Sequence, residues 1–331
     1  MLRRAAGRRA RHVAPRALSR IAGPGSTVLS PRTPRVCVIL NPVAGSGDVA
    51  SLAAGLDRDP AVDVRRVVDS REIVDLARSA AEEGYEVVAA AGGDGTVGAV
   101  AAGLHRAATG ASLAILPIGT GNDFARHIGV PGDPLKALRA ALASAVAGRS
   151  RATDLIRCAS RTGPDLSGRA LNAVVGGFGG RVGDALDDRR RRRWGRLAYL
   201  RAVVDELGRL RAHPIRLVVD EREYEVEALM VVVAGGRYAG GGIPLVPHAD
   251  PFDGRLDVVV ILETPGILLP STVLRVLRGR HTGSDNVLTL TGRRIEIGAG
   301  ADFWMNLDGE TWTAGSAVFE VIPGAFPLLL P

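Results

Sequence analysis

The first half of the chain alternates short apolar runs with segments of helical periodicity. Between the runs, apolar residues recur at three- and four-residue spacing, which predicts helices around 48–56, 70–83, 97–104 and 134–147. The runs themselves predict buried strands, and strands that alternate with helices predict an open parallel α/β sheet with right-handed crossovers. The predicted strands cover residues 35–40, 62–68, 87–91 and 112–116.

The pattern changes near residue 150, where short β-branched or alternating runs separated by turns become the rule. Such runs are typical of an antiparallel sandwich or barrel. Two helical stretches interrupt them, at 182–211 and 265–278. The chain is therefore predicted to be α/β followed by all-β, with a cleft between the two parts. The predicted strands are 152–158, 170–175, 215–219, 224–233, 256–261, 287–290, 294–297, 303–306 and 317–321.

Three of the four N-terminal strands end in loops rich in Gly, Asn and Asp, at 41–47, 92–96 and 117–126. Ligands bind outside the carboxyl ends of parallel strands, so these loops are expected to converge on one crevice. In the second loop the glycines leave backbone amides bare at a helix N-terminus, which suits a phosphate group. Thr96 is expected to cap that helix and Asp94 to face a metal ion or a hydroxyl. An ordinary glycine-rich turn without a ligand is the alternative.

The amino-acid composition and charge exclude several classes of function. The chain has 331 residues and a formal net charge of +7, but residues 1–34 carry eight arginines and no acid, which leaves the rest at −1. Bulk charge therefore gives no reason to expect a nucleic-acid partner. The tail 1–34 is predicted to be disordered, with an organellar transit peptide as the alternative. Two cysteines, Cys37 and Cys158, exclude a disulfide framework, and no apolar run reaches 18 residues.

A single lysine, Lys136, occurs in the whole chain, and it lies in a helical pattern without a glycine loop. P-loop ATPases need a Gly-Lys-Ser/Thr motif, and protein kinases need a strand lysine on the nucleotide phosphates. Both designs are excluded. Any phosphate chemistry must rest on backbone amides, arginines, carboxylates and a metal ion.

With these motifs in place, the chain resembles the diacylglycerol kinase catalytic-domain family, and most closely its bacterial lipid kinases. The resemblance implies a Rossmann-like parallel α/β nucleotide-binding domain over 35–150, completed by the C-terminal segment 317–331, and an antiparallel β-sandwich over 151–316. It also implies an ATP-dependent kinase that phosphorylates the hydroxyl of a lipid such as diacylglycerol, in phospholipid metabolism. The matching stretches are NPVAGSG (41–47), GGDGT (92–96), LPIGTGNDFA (116–125), GGG (240–242), DPFDG (250–254) and NLDGE (306–310).

The resemblance also implies roles for individual residues. ATP and Mg²⁺ are the expected cofactors; Asp94 would hold catalytic Mg²⁺ directly or through water, while Asn122 and Asp123 would fix a hydroxyl or a metal-bound water. A helix N-cap is the alternative for the Asn122–Asp123 pair. The expected nucleotide-binding residues are Asn41, Gly92, Gly93, Asp94, Gly95, Thr96, Gly98, Thr120, Asn122 and Asp123.

Two further carboxylate pairs have assigned roles by resemblance. Asp250, Asp253 and the carbonyl of Arg255 match a structural Mg²⁺ site, with an Asp-Gly hairpin turn as the alternative. Asp308 and Glu310 lie in the last sandwich turn, where a positioned base would accept the proton of the acceptor hydroxyl. Asp308 is the slightly favoured base, and Glu310 is retained as a second candidate. A solvated hairpin without a catalytic role is the alternative.

The expected partner is a lipid at the membrane surface, for a cytoplasmic protein bound peripherally to the inner face of the membrane. Arg189–Arg193 would attract anionic head groups, or would form a solvated helix face. A homodimer is left open. Two other functions also remain: an NAD kinase-like enzyme, which shares GGDGT but not GTGNDFA, and an inactive nucleotide- or lipid-binding regulator. The regulator is motivated by departures from the family pattern, such as Gly98 in place of Asn.

Overall fold

The computed structural model describes residues 33–45, 49–160, 168–177, 211–300, 303–307, 310–313 and 315–331. Several sequence predictions therefore fall outside the described residues: the tail up to residue 32, the helix at 182–211 with its arginine cluster, and Asp308. The side chain of Glu310 is also outside them, although its backbone is described. No helix in the described ranges is both long and apolar enough to span a bilayer.

Four parallel strands form the N-terminal sheet in the order β2-β1-β3-β4. All of β1 and β3 is buried, in register from Val36 opposite Val87 to Leu40 opposite Ala91. Because both of their faces are covered, β1 and β3 are continuous apolar runs. The strands are β1 (Val36–Leu40), β2 (Val62–Arg66), β3 (Val87–Gly92) and β4 (Ser112–Pro117).

Five helices accompany this sheet and cover both of its faces. Alternate residues of each strand point to opposite sides, so Val88 packs with α2 and α3 while Val87 and Ala89 pack on the side of α1 and α5. The predicted α/β layering is observed. The helices are α1 (Val49–Leu56), α2 (Ile73–Glu82, after a 3₁₀ turn at Ser70–Glu72), α3 (Asp94–Ala107), α4 (Asp123–His127) and α5 (Pro134–Val146).

The second half is an antiparallel sandwich. The second part of strand β9, residues 228–234, is buried on both faces: Val231 and Val233 belong to the sandwich core, while Val232 packs under loop 235–249 and α6. The elements are β5 (Ser150–Ser160), β6 (Gly168–Ala170), β7 (Ala173–Gly177), β8 (His213–Val219), β9 (Arg222–Ala234), β10 (Leu256–Leu262), α6 (Leu269–Leu277, after a 3₁₀ turn at Gly266–Leu268), β11 (Val287–Gly292), β12 (Arg294–Gly298), β13 (Trp304–Leu307), β14 (Glu310–Thr313) and β15 (Ser316–Leu329).

The last strand connects the two halves. β15 pairs with β5 and β12 in antiparallel fashion, and near its end Leu328 lies opposite Leu113 of the parallel strand β4. The register with β5 shifts between Ile322 and Phe326. At this irregularity the buried carboxylate of Asp154 accepts hydrogen bonds from the amides of Gly324 (2.8 Å) and Gly254 (2.7 Å).

Several local predictions differ from the structure, among them the following three. The strand predicted at 317–321 continues to Leu329, because its apolar residues reach the core of the N-terminal sheet. Strand β14 was not predicted; it pairs with β13 as a hairpin. The predicted capping role of Thr96 is wrong: Thr96 is the third residue of α3, and its hydroxyl accepts a hydrogen bond from Nδ2 of Asn41 (3.0 Å).

Candidate active site at the carboxyl ends of the parallel strands

The loops that follow β1, β3 and β4 meet above the sheet, as the strand pattern predicted. Asn41, the first residue after β1, donates through its amide to the carbonyl of Ala91 in β3 (3.0 Å) and through its side chain to Thr96. The third loop approaches so closely that a Cβ on Gly119 would lie 2.3 Å from Cα of Gly93. Glycine at position 119 is therefore required for the loops to pack, whether or not a ligand binds.

The N-terminus of α3 opens into this junction. Gly93 occupies the cap position, and no side chain caps the helix there. The first amides of any helix have no partner within it, and the helix dipole places partial positive charge at the same end. Gly95 lies exposed at this end. The arrangement suits the phosphate groups of a nucleotide, which backbone amides bind without lysine.

Asp94 reaches across from α3 to the third loop. Its Oδ1 accepts a hydrogen bond from the amide of Phe124 (2.9 Å) and its Oδ2 from the amide of Asp123 (3.0 Å). Asp94 therefore caps α4, whereas Asn122, at the formal cap position, makes no capping bond. Neither side chain of the Asn122–Asp123 pair caps this helix, so the simple N-cap interpretation of that pair is wrong.

The carboxylate of Asp123 connects this hydrogen-bond network to the second half of the chain. Its carboxylate accepts hydrogen bonds from the amides of Gly241 (2.9 Å) and Gly242, both of which have positive φ. Burial, and then the neighbouring charge of Asp94, raises the pKa of Asp123 to about 6. Burial also raises the pKa of Asp94, although the amides of Phe124 and Asp123 oppose that shift.

The two carboxylates border one small space. A Cβ on Gly121 would lie 3.2 Å from Oδ2 of Asp94 and 3.4 Å from Oδ2 of Asp123, so the glycine leaves that space open. Exposed Arg126 donates to the carbonyl of Gly121 (3.3 Å), and its positive charge weakly opposes the rise in pKa that burial causes in both carboxyl groups. Two acidic groups held close together in a buried site favour a cation between them.

The carboxylate pair of Asp94 and Asp123 is suited to binding Mg²⁺. Mg²⁺ takes oxygen ligands and is commonly held by one or two carboxylates, with water and substrate phosphates completing the shell. Asp94 and Asp123 supply such a pair beside an uncapped helix N-terminus. Among the described residues, no cluster of three or more His, Cys, Asp or Glu side chains could hold a metal ion. The ion would therefore depend on phosphate and water for its remaining ligands.

The other predicted nucleotide residues occupy different positions around the junction. Nδ2 of Asn122 donates to the carbonyl of Gly119 (2.7 Å), which braces the third loop. Thr120 is exposed beside it. The side chain of Thr96 packs over Gly92, so a Cβ on Gly92 would lie only 2.3 Å from that side chain. Gly98 is buried inside α3, one turn from its start.

The second predicted metal site is a compact turn. Asp250 accepts a hydrogen bond from the amide of Phe252 (3.1 Å), and Asp253 accepts one from the amide of Arg255 (2.9 Å). Burial, and to a lesser extent the charges of Asp253 and Asp250, raises the pKa of Asp154. Three carboxylates thus share this region, but the turn is already satisfied by its own amides. Magnesium at Asp250, Asp253 and the carbonyl of Arg255 stays a prediction.

The two candidate bases, Asp308 and Glu310, come shortly after Leu307, the last residue of β13, in the sequence. Leu307 pairs with Glu310, so residues 308 and 309 connect the two strands. Asp308 and the side chain of Glu310 are outside the described residues, and their roles remain predictions. The neighbouring strand is β7, which pairs with β13 through Val174 opposite Leu307.

Four contributing residues were not predicted from the sequence. Gly241 and Gly242 were quoted as a motif but given no role, and they donate to Asp123. Asp154 was predicted only as part of a strand. A single Asp within a buried apolar run needs a hydrogen-bond partner, so its position in the sequence could have indicated a structural role. His127 was also missed; its Nδ1 accepts from the amide of Arg237 (3.2 Å), a contact between distant segments that no sequence pattern indicates.

Comparison with known proteins agrees with this geometry. Residues 35–158 match the model of the diacylglycerol kinase catalytic domain, and residues 172–330 match the YegS C-terminal NAD kinase beta sandwich-like domain. Among curated relatives, a "Probable lipid kinase YegS-like" protein of Pseudomonas aeruginosa is 36% identical over 267 residues, covering 80% of this chain and 82% of the relative. The chain belongs to the diacylglycerol kinase catalytic-domain family.

Other relatives extend the match. A protein of the same name from Stenotrophomonas maltophilia is 33% identical over 311 residues, which cover 90% of this chain and 97% of the relative. A solved diacylglycerol kinase from Bacillus anthracis strain Sterne has a TM-score of 0.71 and 22% identity, covering 90% of this chain and 97% of that one. The solved structure confirms the fold class, an α/β domain followed by a β-sandwich domain.

Proposed function

We propose that this chain is an ATP- and Mg²⁺-dependent lipid kinase, which transfers the γ-phosphoryl group to the hydroxyl of a lipid such as diacylglycerol. The observation that carries the proposal is the junction itself: an uncapped helix N-terminus lies beside the paired carboxylates of Asp94 and Asp123. Family membership and the names of the curated relatives support a lipid as the acceptor class.

In this proposal the chain's own groups position the reactants and balance charge, as phosphoryl transfer requires. The amides at the start of α3 bind the phosphates, and Asp94 and Asp123 hold the magnesium ion, which neutralises charge on the phosphates. Arg126 adds positive charge beside the two carboxylates. Asp308 or Glu310 accepts the proton of the acceptor hydroxyl, which makes the alcohol a better nucleophile.

The acceptor is proposed to enter between the two halves of the chain. Asp123 lies in the α/β half, and the glycines that bind its carboxylate lie in the sandwich half. The β13–β14 hairpin with the proposed base belongs to the sandwich half as well. Phospholipid metabolism, with a membrane-resident acceptor, is the corresponding cellular role.

The test is a phosphorylation assay of the full chain with radiolabelled ATP and Mg²⁺. The acceptors are diacylglycerols, sphingoid bases, ceramides, phosphatidylglycerols and, separately, NAD. We expect one lipid class to be phosphorylated and NAD to be inert. Phosphorylation of NAD instead of every lipid would identify an NAD kinase-like enzyme. Nucleotide binding without turnover on any acceptor would identify a regulator, and either result would overturn the proposal.

A further inference from the structure

Three large apolar side chains lie exposed within one short segment. Ile267, Leu268 and Leu274 are 88%, 52% and 46% exposed, and they belong to the 3₁₀ turn and α6. Elsewhere in the described ranges, exposed large apolar residues are scattered singly, at Val43, Val68 and Val146. Single exposed apolar residues are ordinary, whereas a cluster marks a contact surface.

The opposite face of α6 is buried and packed. Leu269, Thr272 and Val276 face inward, and the hydroxyls of Ser271 and Thr272 donate to the carbonyl of Leu268 (2.8 and 3.2 Å). The helix is therefore held firmly on one side while it presents aliphatic side chains on the other. A fixed, amphipathic element of this kind is suited to an interface between water and an apolar phase.

The charge of the segment has one sign. From residue 264 to residue 284 there is no Asp or Glu, while Arg275, Arg278 and Arg280 lie at the end of α6 and just beyond it. Within the described part of the chain, none of the three is paired with a carboxylate in an ion pair. Apolar residues next to unpaired arginines complement a bilayer with anionic head groups.

A protein partner fits this surface less well. Three aliphatic side chains present far less than the roughly 800 Å² that each partner of a stable complex buries. The segment also contains no Trp or Tyr, the residues that dominate protein–protein contacts together with Arg. A bilayer needs no shape complementarity, so a small aliphatic patch flanked by arginines suffices.

The segment is connected to the candidate active site through loop 235–249. Nε2 of His281 donates to the carbonyl of Leu245 (2.9 Å), and a Cβ on Gly279 would lie 3.0 Å from Pro244. Both contacts fix the end of α6 to loop 235–249. Gly241 and Gly242 in that loop bind the carboxylate of Asp123. One loop therefore separates the exposed apolar surface from the proposed magnesium site.

We propose that residues 266–280, the docking segment, bind the surface of an anionic lipid bilayer. Ile267, Leu268 and Leu274 enter the boundary between head groups and acyl chains, and Arg278 and Arg280 contact the head groups. The proposal rests on the proposed function for its biological purpose, since docking beside the cleft brings a membrane-resident acceptor to the site.

The experiment measures binding of the full-length chain to vesicles without ATP. The vesicles contain phosphatidylcholine alone or with phosphatidylglycerol. The apolar variant is Ile267→Ser/Leu268→Ser/Leu274→Ser. We expect wild type to bind the anionic vesicles, more weakly at high salt, and the apolar variant to bind them at least ten times more weakly.

The charge variant is Arg278→Gln/Arg280→Gln. We expect about a fivefold loss of affinity for each arginine removed. Two control variants lie on exposed positions elsewhere: Val68→Ser/Val146→Ser matches the apolar change, and Arg58→Gln/Arg139→Gln matches the charge change. Both controls are expected to bind like wild type.

Thermal unfolding checks that the variants fold. If the triple change unfolds the chain, Ile267→Ser alone, at the most exposed position, replaces it. Wild-type levels of binding by the apolar variant would overturn the proposal. Membrane binding would then be assigned to the arginines of the tail or of 189–193. Failure of wild type to bind any vesicle would also overturn it.

Sedimentation velocity distinguishes a second copy of the chain as the occupant. A dimer of wild type that the apolar variant abolishes would show that the surface is a self-association interface, and the proposal would be wrong. The binding experiment does not depend on turnover. If the acceptor panel gives no product but the docking variants still lose vesicle binding, the proposed function fails while the docking segment stands.

Discussion

The carboxylate of Asp94 caps the helix that begins at Asp123, through hydrogen bonds of 2.9 and 3.0 Å to the amides of Phe124 and Asp123. One residue thus joins two of the three loops above the sheet and also borders the space left by Gly121. A structural and a chemical role therefore coincide in Asp94. Substitutions must separate the loss of the cap from the loss of the charge.

Asp94→Asn is expected to separate these roles. Asparagine keeps one acceptor oxygen for the cap and loses the other, so one of the two hydrogen bonds is lost and stability should fall by about 1–3 kcal/mol. Removal of the negative charge should lower turnover with ATP and Mg²⁺ at least 100-fold, on the order of the loss of one preorganised electrostatic group. Steady-state kinetics and urea unfolding measure the two effects. Asp133→Asn is the control, since Asp133 caps α5 through Lys136 (2.8 Å) away from the site. Full activity of Asp94→Asn would contradict the metal-binding role.

Gly119→Ala is expected to disrupt the junction of the loops. The new methyl group would lie 2.3 Å from Cα of Gly93, where only backbone could move to accommodate it. We expect a loss of about 3 kcal/mol in the free energy of unfolding and a large loss of ATP affinity. Gly132→Ala is the matched control, because nothing lies within 4 Å of its Cβ position. Equal stability of the two variants would show that the loops do not pack this closely.

Much of this arrangement was predictable because three apolar runs of the N-terminal half, β1, β3 and β4, are strands buried on both faces. Once the strands are parallel, their carboxyl ends lie at one edge, so the convergence of the loops after residues 40, 92 and 117 follows from the strand pattern alone. The direction of individual side chains does not follow. Thr96 was expected to cap α3, yet it packs over Gly92 and bonds to Asn41, because the helix begins three residues earlier than expected.

Contacts between distant segments were the least predictable part. The bonds from Gly241 and Gly242 to Asp123 join residues more than a hundred positions apart, and local sequence contains no information on such pairs. The same holds for Asp154 and Gly324. Each of these contacts satisfies a buried carboxylate, so the sequence indicated that partners were needed without indicating which residues would provide them.

His127 is expected to make stability depend on pH. Burial, and then the charge of Arg237, lowers its pKa to about 4, although a nearby charge on Asp250 opposes this. In the unfolded chain the imidazole has its ordinary pKa near 6.5. Between these values the unfolded state binds the proton and the folded state does not. The contribution of the neutral His127 ring to folding stability is therefore complete above pH 6.5 and is lost as the pH falls towards 4.

The corresponding experiment compares wild type with His127→Gln by urea unfolding at pH 7.5 and pH 5. After allowance for solvent screening of a partly exposed ring, wild type should lose roughly 1 kcal/mol more than the variant between these two values. The difference between the two proteins isolates the histidine from carboxylates that titrate in both. Parallel losses in the two proteins would show that His127 keeps its ordinary pKa when folded.

Asp308→Ala is expected to lower turnover by about 10²–10⁴-fold, the usual contribution of a positioned general base, while ATP binding is retained. The reason is that residue 308 connects β13 to β14 in the sandwich half, whereas the proposed phosphate site lies at α3. Turnover is measured on the lipid acceptor that the panel identifies, and ATP affinity by calorimetry. Glu310→Ala tests the alternative base, and Glu221→Ala is the control, an exposed carboxylate in the β8–β9 turn of the same domain. A normal rate for Asp308→Ala with a low rate for Glu310→Ala would transfer the proton-accepting role to Glu310, and normal rates for both would remove it from this hairpin.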